Sequence, residues 1–268
     1  GDLHGDWDIT KKIFIRYKLI DTNGKWIAQP KDTKVVQVGD IVDRGGRPDT
    51  VGDECSEIKI MDFLDEIHEQ AQLYGGGVYC ILGNHEIMNV TGNFTYAGDE
   101  SIKCFGGVDE RKKAFKPGGY MAKLLACHSY GVLKINKWFF CHAGLLPKHV
   151  SSKSISQINE IVRNILTGKK KGGLTKYEED LLFSKDSIFW NREYFFNQNK
   201  CNILNKTLEI LNEKDGGLIV GHTIHKHITP ECKKKLWFAD VGLSPAFGNL
   251  YSNVELLEIV NNKPRVIK

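Results

Sequence analysis

Five short stretches of this chain end on residues whose side chains hold metal ions or move protons. They are "GDLHG" at 1–5, "GDIVDRG" at 39–45, "GNHE" at 83–86, "CHAG" at 141–144 and "GHT" at 221–223. Together they present Asp2, His4, Asp40, Asp43, Arg44, Asn84, His85, Glu86, His142 and His222. In an extended segment, positions two apart point the same way, so Asp2 and His4 converge as a carboxylate and an imidazole. Mixed oxygen and imidazole donors suit Mn²⁺, Fe or Zn²⁺. Taken singly, each stretch reads as a turn, because Gly-Asp and Gly-His are common loop dipeptides. Their recurrence in one structural setting points to a shared site.

That setting is the end of a buried strand. "VVQVGD" (35–40), "GVYCILGNH" (77–85), "WFFCHAG" (138–144) and "GLIVGHT" (217–223) are apolar runs closed by a glycine and polar residues. Such runs read as buried strands, and open α/β sheets place ligands beyond the carboxyl ends of their strands. Residues 55–73 carry Ile58, Met61, Leu64, Ile67 and Ala71 at spacings of three and four, which predicts an amphipathic helix. Further helices are expected near 111–127, 154–166 and 202–213, with 168–200 helical in patches. "GVLKINKWFFC" predicts a hairpin turning at Asn136-Lys137, and "KLWFADVG" and "VELLEIV" add late strands. Strands alternating with helices, then hairpins, give a mixed α/β or α+β domain.

Composition narrows the function. Of 268 residues, 41% are hydrophobic and 26% charged, ordinary values for a globular protein. No apolar run reaches the length of a membrane span. The net charge of +4 is mild, and no aromatics interleave with the lysines of "GKKKGG" or "CKKKL", so nucleic acid is not an expected partner. Seven cysteines, widely spaced and without a CxxC, read as reduced and mostly core. A bridge among Cys104, Cys201 and Cys232 stays open. No Cys begins a CxxxxxR phosphate loop, which disfavours thiol-based phosphoryl chemistry.

Phosphate monoesters resist attack because their oxygens are negative, and two metals roughly 3.5–4 Å apart relieve that repulsion while acidifying a water. The ordered set GDLHG, GDIVDRG, GNHE, HAG and GH resembles the signature of the metallophosphoesterases, in particular the phosphoprotein phosphatases. "GNHEIMN", "KPGGYMAKLLA", "HAGLLPKHV", "IFWNREY" and "DVGLS" are similar to the bacterial-type branch called Shewanella-like protein phosphatases.

The resemblance covers about residues 1–260. It implies two mixed β-sheets packed as a sandwich flanked by helices, with a dinuclear centre at the strand C-terminal edge. It makes residues 1–268 one catalytic domain that begins just after a missing first strand. Asp2 and His4 would hold one metal, Asp40 would bridge, and Asn84, His142 and His222 would complete the second. His85 would be the general acid, oriented by Asp43, with a third imidazole ligand as its alternative. Arg44 would grip the phosphate, and Arg192 in "FWNREY" is the candidate second arginine, otherwise a surface residue.

The implied activity is one-step hydrolysis of phosphate from protein Tyr or Ser/Thr by a metal-bridging hydroxide. A small-molecule phosphohydrolase, such as a dinucleoside polyphosphate hydrolase, is the alternative. The implied cofactors are two divalent ions, manganese first, then iron or zinc. The implied partner is a phosphorylated protein or peptide; the sequence leaves the oligomeric state open, with a monomer favoured. Four further residues are set apart from the catalytic and metal set. Asp6 reads as a helix cap and Glu86 as a support for the ligand loop. His225 and His227 stay outside the metal set, because Ile224 occupies the GHxH position.

Overall fold

The computed structural model describes residues 1–47, 55–250 and 254–268. Strands β1 (Lys34–Gln37), β2 (Gly77–Ile81) and β3 (Ser129–Tyr130) form a parallel sheet in that order. A second sheet contains β4 (Val132–Ile135), β5 (Trp138–Cys141), β6 (Gly217–Val220), β7 (Thr229–Glu231) and β8 (Leu236–Phe238), ordered β4-β5-β6-β8-β7. Its central pairs are parallel and its edge pairs antiparallel. Strands β9 (Leu256–Val260) and β10 (Lys263–Ile267) close the chain as a hairpin.

Side-chain alternation makes the sandwich. Along β5, Trp138 and Phe140 enter one apolar layer while Phe139 and Cys141 enter another. Ile219 and Trp237 repeat the split against Leu218, Val220, Leu236 and Phe238. The first layer also takes Val38 and Ile81 from the other sheet, so it lies between the sheets. The second receives the helices. These are α1 (Trp7–Arg16), α2 (Glu57–Gln72), α3 (Asn84–Val90), α4 (Asp99–Cys104), α5 (Val108–Phe115) and α6 (Tyr120–His128). After β5 come α7 (Pro147–Val150), α8 (Ile155–Leu166), α9 (Lys176–Leu182), α10 (Glu193–Phe196) and α11 (Lys200–Ile210).

The hairpin turns at Asn136, whose φ of 53° suits a tight turn. Three expectations are corrected. The helix anticipated over 111–127 is two helices, α5 and α6. Lys116 is extended ahead of Pro117, and Gly118 follows at φ 83°; a proline lacks an N–H and drives its predecessor out of the helical region. Ile58 belongs to the outer face of α2 at 36% exposure, while Ile60 and Phe63 join the buried stripe. Finally, four cysteines are paired. Cys55 bridges to Cys104 and Cys201 to Cys232, leaving Cys80 and Cys141 as buried thiols and Cys127 exposed. The partners are 49 and 31 residues apart, and only folding brings their Cα atoms to 6.1 and 5.2 Å.

Candidate active site

The strand ends do converge. The 38–44 loop follows β1, Gly83 and α3 follow β2, His142 follows β5 and His222 follows β6. The opening loop is fastened to the first of these: the Leu3 and His4 amides both donate to the Asp40 carbonyl at 2.9 Å, and Gly5 donates to Ile41. His4, Asp40, Asp43 and His222 all have positive φ, at 44°, 54°, 69° and 63°. Non-glycine residues rarely adopt that conformation, and it concentrates where side chains are aimed for function.

Asp40 is the hub. It belongs with His4 and His85 in one group of donors, and with His142 and His222 in another, the atoms of each group lying within 4.8 Å of one another. Its Oδ2 is 3.8 Å from Nε2 of both His4 and His85, and 3.3 Å from His142 Nε2. Asn84 Oδ1 lies 2.9 Å from the same His142 nitrogen, whose ring is fixed by Nδ1 at 2.8 Å from the Val38 carbonyl. Asp2 Oδ2 accepts the His222 amide at 3.2 Å. Asp2 Oδ1 and His222 Nε2 are buried with no hydrogen-bond partner among the described residues. Buried polar atoms left unpaired are rare in a folded protein. Here they complete a carboxylate, amide and imidazole set that fits two divalent cations sharing Asp40.

The electrostatics follow from proximity. Burial opposes charge on Asp40, yet His142 and His85 hold its carboxyl well below the usual range. Burial likewise lowers His142, but Asp40 beside it lifts the imidazole to about 10. Burial, His142 and Arg192 push His222 down to about 3. Burial raises Asp2 well above the usual carboxylate range, and the nearby Asp240 adds to it.

His85 faces two carboxylates. Its Nδ1 is 3.0 Å from Asp43 Oδ2, an arrangement that fixes the ring's tautomer. Glu86 accepts four backbone N–H groups, from Asp40, Ile41, Val42 and Gly83, at 2.7–3.1 Å. It therefore supports the ligand loop, as its position in the sequence indicated. Asp6 caps α1 by accepting the Ile9 amide at 3.0 Å. His225 packs on Phe238 and His227 pairs with Glu255, and neither is in either donor group.

The three arginines differ. Arg44 is buried and lies 3.7 Å from Asp6 Oδ2. Arg192 is exposed at the start of α10, donating to Thr223 Oγ1 at 3.1 Å, next to His222. Sequence reasoning missed Arg47. Its guanidinium lies 4.8 Å from the Tyr96 ring and 4.7 Å from the Phe247 ring, with Nη2 3.2 Å from His85 Nε2. Also missed were Asn89, Glu57 and Arg111, which surround Asp43. Asn89 lies in the "GNHEIMN" stretch, whereas Glu57 and Arg111 look like ordinary charges on helix faces.

Known proteins resemble this chain in sequence and in fold. The calcineurin-like phosphoesterase signature matches residues 1–226. Shewanella-like protein phosphatase 2 of Arabidopsis thaliana is 29% identical over 91% of this chain and 70% of its own length. Shewanella-like protein phosphatase 1 of Plasmodium berghei is 29% identical over 100% of this chain and 72% of its own. An uncharacterized protein of Acanthamoeba polyphaga mimivirus, R398, is 34% identical over 76% of this chain and 96% of its own. In fold, the crystal structure of a cold-active protein-tyrosine phosphatase from a psychrophilic Shewanella species matches with a TM-score of 0.82. That match, at 23% identity, covers 99% of this chain and 75% of the other. From its signature and its relatives, the chain belongs to the calcineurin-like phosphoesterase family.

Proposed function

We propose that this phosphoesterase is a metal-dependent protein phosphatase, with phosphotyrosine as its preferred ester. The observation that carries the reading is Asp40 shared between two donor groups, one of which includes His85, the imidazole paired with Asp43. Asp2, His4 and Asp40 would hold one ion, and Asp40, Asn84, His142 and His222 the other. Bound there, two divalent ions supply charge neutralisation at the phosphoryl oxygens and a nucleophile at neutral pH.

The chain's own residues do the rest. Arg47 projects toward His85 from between two aromatic rings, so it grips phosphoryl oxygens with little loss of freedom. Arg44 and Arg192 add positive charge on either side. As water adds to phosphorus and the ester P–O bond breaks, His85, its Nε2 protonated once Arg47 has turned from it to the phosphoryl oxygens, gives that proton to the departing oxygen. Asp43 keeps Nδ1–H in place and steadies the imidazolium, an arrangement of base and orienter common to acid–base catalysis.

Aromatic rings support an aryl ester. Phe247, Tyr96 and Trp190 lie with centroids 4.9, 5.1 and 6.0 Å from those of His4, His85 and His222. A substrate ring beside them gains stacking that a serine side chain cannot offer. The name of the Shewanella neighbour and the names of the plant and Plasmodium relatives support a protein substrate.

The test is to measure initial rates with Mn²⁺ on matched phosphotyrosine and phosphoserine peptides and on diadenosine tetraphosphate, with His85→Ala alongside. Fastest turnover of the phosphotyrosine peptide, lost in the variant, is expected. Fastest turnover of the dinucleotide would move the protein to the small-molecule hydrolases.

A further inference from the structure

We propose that Arg111 is a positioning residue for the leaving-group proton, acting through Asp43 on His85; this rests on the reading of His85 as general acid. Arg111 lies on α5 and is fully buried. All three of its guanidinium nitrogens are engaged. Nε donates to Asn89 Oδ1 at 2.8 Å, and Nη1 to Glu57 Oε2 at 2.9 Å and Ser101 Oγ at 2.7 Å. Nη2 donates to Asp43 Oδ1 at 3.1 Å and Glu57 Oε1 at 3.2 Å. Phe105 and Phe115 each stand 4.9 Å from the guanidinium carbon.

Every bond but the one to Ser101 leads to Asp43. Asn89, held by Arg111, donates to both Asp43 oxygens at 2.9 Å. Glu57, held by Arg111, accepts the Asp43 amide at 2.9 Å. Asp43 is thus fixed at its backbone and at both carboxylate oxygens, and Oδ2, which accepts from Asn89, also faces His85 Nδ1. The charges agree with this arrangement. Two buried carboxylates, Asp43 and Glu57, face one guanidinium.

Stability alone is a weak reason to bury such a cluster, since apolar replacements of buried ion pairs are often neutral or stabilising. Positioning explains its shape: a planar five-donor fork spans Asn89, Glu57 and Asp43 together, which a lysine cannot do.

The experiment compares phenyl phosphate, whose departing oxygen needs a proton, with 4-nitrophenyl phosphate, whose departing oxygen does not. Arg111→Met and Arg111→Lys are assayed beside His85→Ala, with manganese per chain and thermal unfolding recorded for each. General acid catalysis contributes roughly 10²–10⁴-fold. On phenyl phosphate, kcat is expected to fall about 100-fold in Arg111→Met and about tenfold in Arg111→Lys. On 4-nitrophenyl phosphate the fall is expected to stay within about threefold, with KM and manganese content unchanged. Should Arg111→Met fail to fold, Arg111→Lys carries the comparison, because it keeps the buried charge. Equal losses on both esters, or loss of manganese, would overturn the proposal. If His85→Ala itself shows no difference between the esters, the general-acid reading fails first. If His85→Ala discriminates and the Arg111 variants do not, only the assignment of Arg111 falls.

Discussion

Gly83 and Asp40 lie so close that a Cβ on the glycine would stand 2.1 Å from Asp40 Oδ1 and 2.4 Å from the Asp40 amide nitrogen. Two strand ends therefore meet backbone to side chain, and only a residue without a side chain permits it. The Gly83→Ala variant is expected to push the Asp40 carboxylate aside. Displacement of a catalytic group by about 1 Å costs on the order of 10² in rate. Phosphatase activity should fall at least that far, and manganese retained after gel filtration should fall with it. Wild-type activity and metal content in the variant would show that the approach of Gly83 to Asp40 is dispensable.

Glu86 makes the next prediction. Each of its oxygens accepts two backbone N–H groups. Glu86→Gln exchanges one acceptor for an NH₂ that must face two N–H donors. Leaving a buried donor unpaired costs about 1–3 kcal/mol. Urea unfolding at neutral pH should show a loss of at least that size with an unchanged slope. A variant within 0.5 kcal/mol of wild type, by the usual spread of surface substitutions, would sink the assignment.

Metal removal should be felt in stability as well as in rate. Asp2 and Asp40 are buried at 2% exposure each, and Asp2 Oδ1 and His222 Nε2 have no hydrogen-bond partner among the described residues. A ligand that binds only the folded state stabilises it by about 2.7 kcal/mol at one hundred times its dissociation constant. Chelation should therefore abolish turnover and lower the melting temperature, and added Mn²⁺ should restore both. The same melting temperature with and without metal would count against ligation by these residues.

Most of the candidate ligands were legible because Asp40, Asn84, His142 and His222 each come just after a short apolar run, where strand ends and glycine turns are legible locally. The hairpin at Asn136 was readable for the same reason. What escaped was long-range. Arg111 meets Asp43 across 68 residues and Glu57 across 54, and each looks like a solvated charge on an amphipathic helix. Arg47 sits between Tyr96 and Phe247 only because three distant loops gather over the site. Cysteine spacing carries no pairing geometry, so the bridges at Cys55–Cys104 and Cys201–Cys232 had to be seen. One local signal was also missed: the break between α5 and α6 lies at "KPGG", where proline and two glycines outweigh the apolar spacing on either side.

Away from the metals, His149 sets part of the acid limit of stability. Its Nδ1 accepts the Leu146 amide at 3.1 Å while its Nε2 lies 3.0 Å from the Asp186 carbonyl, so the folded protein needs the neutral ring. Burial pushes its pKa down from 6.5 to about 4. Between those values the unfolded chain binds a proton that the folded state does not, so acid favours unfolding. The stability the neutral ring contributes is fully present above pH 6.5 and is lost as pH falls through about 4. The shift corresponds to about 3 kcal/mol. His149→Gln should be less stable than wild type at pH 7.5, and urea midpoints should converge as pH approaches 4.5. A gap that stays constant over that range would show that His149 does not titrate with unfolding.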